Sequence, residues 1–334
     1  MTEEILPRIH RIEIPLPNNP LKATNSYVIT SNERNLIIDT GFNRKECMDA
    51  MQAGLKELDV DLTRTDFFVT HLHADHQGLV SSLAAPDARI YMGNEDAKHM
   101  EAGGGFHEMT KYGGLNGFPA DELESALFNH PGYKHGPEKP VTWTHVKEGD
   151  VLNVDGYRLE CLETPGHTWG HVCLYEPHHK VFFAGDHILG DITPNIQAWA
   201  GDEDPLAAYI KSLNKIAELD MNLVLPGHRS LIPNGRKRIR ALKRHHLARC
   251  NEVLDILREN GGSSAYQTAS KMTWDIKADR WEDFPLMQKW FATGEAIAHL
   301  RFLEHRGLAK KNLDSQNIFL YTLTHEENRL LTVD

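Results

Sequence analysis

Cysteine is scarce: the 334 residues hold four, Cys47, Cys161, Cys173 and Cys250, scattered and without a CxxC pair. A chain of this length buries enough apolar surface to fold without disulfides. The opening stretch "MTEEILPRIH" has neither a basic segment nor an apolar one, so no secretory leader is expected and the reducing cytoplasm is the expected location. Nor does any apolar run approach the roughly 18 residues of a membrane-spanning helix, so no integral membrane role is expected. Positive charge is short as well. The net charge is −11 and unevenly placed: 19 Lys and Arg stand against 34 Asp and Glu in residues 1–235, and 17 against 13 in 236–334. Such asymmetry suggests two units. They part near "IPNGRKR", where Pro233, Asn234 and Gly235 supply turn chemistry ahead of a basic helix.

What is present is an alternation of β-rich runs and helices. Strands are expected at "IHRIEIPLP", "SYVITS", "NLIIDTG", "DFFVT", "ARIYMG", "YRLECLETP", "HVCLYEP", "KVFFAGD" and "NLVLPGH", with helices over about 44–58 and 206–219. That is an α/β pattern. Three of the runs, "DFFVT", "VFFAGD" and "LVLPGH", deliver a polar residue at the C-terminal end, where α/β sheets place their ligands. Beyond residue 235, Ile239, Leu242, Leu247, Cys250, Leu254 and Leu257 recur at helical spacing. A further helix over about 293–305, stopped at Gly307, precedes "LAKKN" and "NIFLYTL" across the turn "LDSQ". Helix followed by a two-stranded wing reads as a small winged-helix-like unit.

Histidine, by contrast, is plentiful, with 20 in the chain. The segment "HLHADH" places His71, His73, Asp75 and His76 directly behind a strand. The strand's period of two puts His71 and His73 on one side, and the turn carries Asp75 and His76 to an adjacent side. One segment can therefore serve two neighbouring ions. "TPGHTWGH" adds His167, "FFAGDHIL" adds Asp186 and "LVLPGHR" adds His228. Nitrogen and oxygen donors without thiolate suit Zn²⁺, and also Mn²⁺ or Fe²⁺. The remaining histidines read as structural: His171 as a core hydrogen-bonding residue, His187 as turned away by strand alternation, His178 and His179 as a hairpin turn, His245 and His246 as a surface or interface pair.

In this order and strand context, the four motifs resemble those of the metallo-β-lactamase superfamily, over about residues 10–235. The resemblance implies a four-layer αβ/βα sandwich with a dinuclear site at the sheet edges. It implies His71, His73 and His167 on one metal, Asp75, His76 and His228 on the other, and Asp186 bridging. Asp39, in "IIDTG", matches a recurrent position that supports a metal-binding histidine. In the oxygen- and nitric-oxide-reducing di-iron branch the second histidine is typically a glutamate, whereas this chain has His73, so hydrolysis is expected over redox work. True class B lactamases carry a cysteine where Asp186 stands, which disfavours antibiotic hydrolysis.

Two cations side by side acidify a bridging water and polarise the oxygen of the group under attack, and Asp75 is the expected proton acceptor. Residues 1–235 are thus expected to form the catalytic domain, with a cap-like insert at about 95–142, and 236–334 a C-terminal helical, winged-helix-like domain. The insert carries Phe106, Tyr112, Phe118, Phe128 and Tyr133, with glycines at 103–105 and 113–114 as hinges; it reads as a mobile cap over the groove, or else as a surface for homo-oligomer contacts. The tail "RKRIRALKRHHLAR" holds seven cations and no acid, which makes a nucleic-acid-binding module conceivable, but a basic cluster on one helix is more often a solvated or interface face, so nucleic acid is not the expected partner; C-terminal patterns of this kind resemble a branch that includes acyl hydrolases and some ribonucleases. The expected function is a two-zinc hydrolase of an ester, thioester or lactone of a small metabolite. A phosphodiesterase or ribonuclease is the first alternative, and a nucleic-acid-binding regulator with a non-catalytic metal site the second.

Overall fold

A computed structural model describes residues 2–103 and 105–325; Gly104, residues 326–334 and the side chain of Phe106 lie outside the described set. The hinge expected at 103–105 and Phe106 of the expected cap therefore fall partly outside it.

The chain opens with β1 (Thr2–Leu6), β2 (Ile9–Pro15), β3 (Ala23–Ile29), β4 (Asn35–Ile38), α1 (Lys45–Glu57), β5 (Thr65–Val69), the short α2 (Ala74–Gln77) and α3 (Val80–Leu83), and β6 (Ile90–Gly93). Four helices follow: α4 (Asn94–Glu101), α5 (Phe106–Leu115), α6 (Ala120–Asn129) and α7 (Pro131–His135). Then come β7 (Thr144–Val146), β8 (Val151–Val154), β9 (Tyr157–Glu163), β10 (Val172–Glu176), β11 (Val181–Gly185), α8 (Pro205–Ala217) and β12 (Leu223–Pro226). The chain closes with α9 (Gly235–Asn260), α10 (Ala265–Ala269), α11 (Leu286–His305), β13 (Ala309–Leu313) and β14 (Phe319–Leu323). Strands β1 to β7 form one sheet in chain order, and β12-β11-β10-β9-β8 a second.

Alternation along single strands explains why these two sheets need a layered sandwich. Phe68 of β5 joins Tyr27, Ile29, Leu36 and Ile38 in a core shared with Leu159, Leu174 and Phe183 of the second sheet. Its neighbours Phe67 and Val69 point the other way, to a core with Met51 and Leu55 of α1. With both faces covered, β5, β10 and β11 are buried at every residue, which is why apolar residues stand side by side in them rather than alternating with polar ones. The expected αβ/βα sandwich is what forms. Three strands escaped the sequence reading. β1 carries two exposed glutamates, β7 is only three residues long, and β8 is a four-residue strand with exposed alternate positions.

The chain divides into two compact units, one of residues 1–104, 134–194 and 214–239, the other of 105–133, 195–213 and 240–334. Both sheets of the sandwich lie in the first unit. In the second, Trp290 of α11 stacks on Trp199, ring centroids 3.9 Å apart and 8° from parallel, and meets Phe118 edge-on. Gly294, one turn along α11, is where a Cβ would come within 2.7 Å of the Trp199 ring. Helix α11 starts at Leu286, a full two turns before the expected 293, because "LMQKWFA" continues the helix back to Pro285, whose ring and missing N–H bar a further turn. The wing is the antiparallel pair β13 and β14, with Leu313 opposite Phe319. His246 departs from the expected surface or interface pair: it is buried, its ring stacked on His299 of the same chain and its Nδ1 3.3 Å from the His299 Nε2. The run of cations around it suggested exposure, but His246 falls on the apolar stripe of α9, with Leu242 and Cys250 one turn to either side, both buried.

Truncating Phe68 removes a ring from the inter-sheet core. Phe68→Ala is expected to cost about 3–5 kcal/mol, read as a lower urea midpoint of the first unit; an unchanged midpoint would contradict the core described here.

Candidate metal centre

Four strands end at one edge of the sandwich, and each hands over a polar side chain there. Asp39 follows β4, His71 and His73 follow β5, Asp186 follows β11, and His228 follows β12, while the loop between β9 and β10 supplies His167. Asp75 and His76 occupy the first turn of α2. The structure thus brings all eight residues singled out in the sequence into one region. Donor atoms of His71, His73 and His167 lie within 4.8 Å of one another; so do those of His71, His76 and Asp186, and those of Asp75, His76 and His228. Any of these groups could hold a metal ion. Asp186 faces two groups at once: Oδ1 is 3.6 Å from the His76 Nε2, and Oδ2 is 3.4 Å from the His228 Nε2 and 3.7 Å from the His167 Nε2.

The imidazoles are aimed by their outer nitrogens. His76 Nδ1 meets Asp39 Oδ2 at 2.8 Å, His228 Nδ1 donates to the Ala23 carbonyl at 2.7 Å, and His71 Nδ1 lies 3.0 Å from the Thr70 hydroxyl. Asp39 also accepts from the Thr70 amide at 2.8 Å, so it fixes both the strand end and a histidine, and it does so at a left-handed φ of 59°. Gly227, immediately before His228, is needed for lack of space: a Cβ there would stand 2.5 Å from Asp186 Oδ1.

Electrostatically the cluster splits. Burial and the neighbouring rings of His76 and His73 push His71 well below its ordinary range, and burial pushes His73 down to about 3. For His228 and His76 burial acts the same way, but carboxylates outweigh it: Asp186 and Asp75 hold His228 well above the usual histidine range, and Asp39 and Asp186 raise His76. Asp75, although buried, is pulled down to about 2 by His76 and His228. His76 Nε2, Asp186 Oδ1 and His228 Nε2 are buried without a hydrogen-bond partner. Buried polar atoms of native proteins are ordinarily satisfied, so unsatisfied nitrogen and oxygen atoms within these donor groups fit a divalent cation. None of the four cysteines, all buried free thiols, belongs to these donor groups.

Two further residues support the cluster. His171 is a buried hydrogen-bonding residue as expected, and its Nε2 accepts from the backbone amide of Asp186 at 3.2 Å while Nδ1 meets the Thr164 hydroxyl at 2.8 Å. Asp96 was not singled out at all, because "YMGNEDA" looks like an ordinary strand-to-helix junction. Its carboxylate accepts from Leu72, Thr168 and Gly170. His187 is buried and pushed down to about 3 by that burial, and His179 closes the β10–β11 turn on Glu176.

Residues 19–228 match the family model described as "Metallo-beta-lactamase superfamily", and residues 282–324 that described as "Metallo-beta-lactamase-like, C-terminal domain". An atrochrysone carboxyl ACP thioesterase of Emericella nidulans is 27% identical over 233 residues, covering 70% of this chain and 59% of that relative. Its namesake in Paecilomyces divaricatus is 25% identical over 277 residues, covering 81% and 72%. Among solved structures, a metallo-beta-lactamase family protein from Thermus thermophilus superposes with a TM-score of 0.79 at 26% identity, covering 96% of this chain and 100% of that one. A beta-lactamase domain protein from Burkholderia ambifaria gives 0.77 at 22% identity, covering 96% and 94%, and so shares the fold.

With His228 and His76 held high, the metal-free cluster carries protons near neutral pH that a ligating Nε2 must give up. In that form the raised His228 stabilises the fold below about pH 6.5, a contribution lost as the pH climbs through the folded-state value. Loading with Zn²⁺ at about pH 7 is expected to release protons, and apparent affinity to fall as the pH is lowered. Calorimetry in two buffers of different ionisation enthalpy counts the protons; none released, or a pH-independent affinity, would contradict this assignment of charge.

Proposed function

The chain belongs to the metallo-β-lactamase superfamily, and we propose that it is a dinuclear metal-dependent hydrolase acting on a thioester, ester or lactone of a small metabolite. The carrying observation is the set of seven His and Asp donors in three overlapping groups, with orphaned buried atoms among them. His71, His73 and His167 would hold one ion and Asp75, His76 and His228 the other, with the Asp186 carboxylate, which faces both groups, available to either. Zn²⁺ suits the tetrahedral donor count, and Mn²⁺ or Fe²⁺ accept the same donors. Bound there, a pair of divalent cations supplies Lewis acidity, bringing the pKa of water toward neutrality and polarising a carbonyl oxygen.

The protein's own groups do the rest. Asp75 carries and returns the proton at its carboxylate. From its place beside His76 and His228 a carboxylate can accept a proton from the attacking water and give it to a leaving thiolate or alkoxide. Asp39 fixes His76, the Ala23 carbonyl fixes His228, and His171 holds the Asp186 backbone, so the donors need little rearrangement. The thioesterase names of the relatives support a thioester within this substrate class.

Two of the seven cations in the basic stretch of α9 are engaged within the fold, while Arg236, Lys237, Arg240 and Arg244 are exposed. Arg238 donates to the carbonyls of Leu189 and Ile192, and Arg249 is buried against Glu252, the Thr273 carbonyl and the Trp274 ring. Residues 1–235, which carry the cluster, hold 19 Lys and Arg against 34 Asp and Glu, a charge balance that disfavours a polyanion.

Purified protein is expected to hold about two transition-metal ions per chain, because seven donors exceed what one tetrahedral ion uses. Asp186→Asn should lower both metal content and turnover of acyl thioesters, p-nitrophenyl esters or lactones. Little rate should be lost between about 50 and 200 mM salt, where phosphate-driven binding weakens by orders of magnitude. Full activity in Asp186→Asn would sink the ligand assignment. Efficient, salt-sensitive RNA cleavage lost in Arg240→Gln/Lys243→Gln would replace the acyl reading with the nuclease one.

A further inference from the structure

Asp96 is a carboxylate with 1% of its surface exposed and no cation among its hydrogen-bond partners. Its Oδ2 accepts from the backbone amide of Leu72 at 2.9 Å and from the Thr168 hydroxyl at 2.6 Å, and its Oδ1 accepts from the backbone amide of Gly170 at 2.7 Å. Leu72 sits between His71 and His73, and Thr168 directly follows His167. The three donors therefore come from the two segments that deliver the His71, His73 and His167 group. The other group is secured elsewhere: His76 by Asp39 and Thr40, Asp75 through its carbonyl by Thr24, and His228 by the Ala23 carbonyl.

Two close backbone approaches bring Asp96 to this junction. A Cβ on Gly93 would stand 2.0 Å from the Gly170 carbonyl oxygen, and a Cβ on Gly170 would stand 2.1 Å from the Asp96 amide nitrogen. Only glycine at both positions lets the start of α4 press against the loop that carries His167. All three partners of the carboxylate are N–H or O–H donors, so an acceptor-only side chain is required. An asparagine of the same size would turn an NH₂ toward one of them.

We infer that Asp96 is a positioning residue that clamps the end of β5 to the loop after β9, and so sets the spacing of His71, His73 and His167 around their ion. The inference rests on the two-ion reading above. It predicts a selective effect that a general loss of stability would not produce.

Metal-free protein is titrated with Co²⁺, followed by its d–d absorption and by competition with a chromophoric chelator, in two one-site backgrounds. In His228→Ala, which leaves the His71, His73 and His167 group intact, adding Asp96→Asn is expected to lower Co²⁺ affinity about 10–100-fold and to alter the spectrum. In His167→Ala, which leaves Asp75, His76 and His228, the same change is expected to leave affinity nearly unaltered. Equal losses in both backgrounds, or none in His228→Ala, would overturn the inference. Should Asp96→Asn fail to fold by circular dichroism, Thr168→Val removes one of the three donors and is expected to give a smaller loss with the same selectivity; a non-selective loss would again overturn it. Wild-type protein that takes up no ion defeats the metal reading and this inference together, whereas two ions in the wild type with undiminished binding in Asp96→Asn defeats the inference alone.

Discussion

Gathering seven ionisable side chains in one buried cluster is costly unless each charge is matched, because removing ions from water carries a penalty of several kcal/mol apiece. Here the matching is internal but incomplete. Asp186 and Asp75 are lowered while His228 and His76 are raised, each at the other's instance. His71 and His73, with fewer carboxylates nearby, are instead kept neutral. A set of donors that is half ion-paired and half neutral, with three orphaned atoms among them, is poised for added positive charge.

That condition explains features of the scaffold that would otherwise look arbitrary. Each supporting group lies on the outer side of a donor: Asp39 behind His76, Thr70 behind His71, the Ala23 carbonyl behind His228, His171 behind Asp186. The inner nitrogens are left facing one another. Asp39 pays for this with a left-handed backbone, which its bonds to Thr70 and His76 offset. Gly227 keeps the approach to Asp186 open. The sandwich makes such placement feasible because β4, β5, β11 and β12 all end at the same edge, on rigid strands buried from both faces.

Beyond the sandwich, the second unit shows how a charge pattern can mislead. Of the seven cations on one stretch of helix, Arg236, Lys237, Arg240 and Arg244 are exposed, but Arg249 is buried under Trp274 and Glu252, and the neighbouring His246 is stacked on His299. Charge alone does not report exposure, since a long helix such as α9 buries one side along its length. The aromatic residues of the insert likewise have partners that no local pattern announces: Phe118 packs on Trp290 and Tyr266, and Tyr112 on Phe319.

Local chemistry determined much of this protein. The strands of the sandwich were legible because side-by-side apolar residues, as in "DFFVT" and "VFFAGD", belong to strands covered on both faces. The cluster of candidate donors was legible because His71, His73, Asp75 and His76 are crowded into six positions, and because His167, Asp186 and His228 stand in motifs with a recognisable order. Tertiary structure alone decided what depends on contacts between distant segments. Asp96 meets Leu72 and Thr168 only after the start of α4 is pressed against the loop after β9, and the bonds that give it meaning span 24 and 72 residues. Likewise His246 becomes a core residue only once α11 brings His299 against it. Sequence periodicity reports which face of an element is apolar, but the partner that covers that face is chosen by the fold.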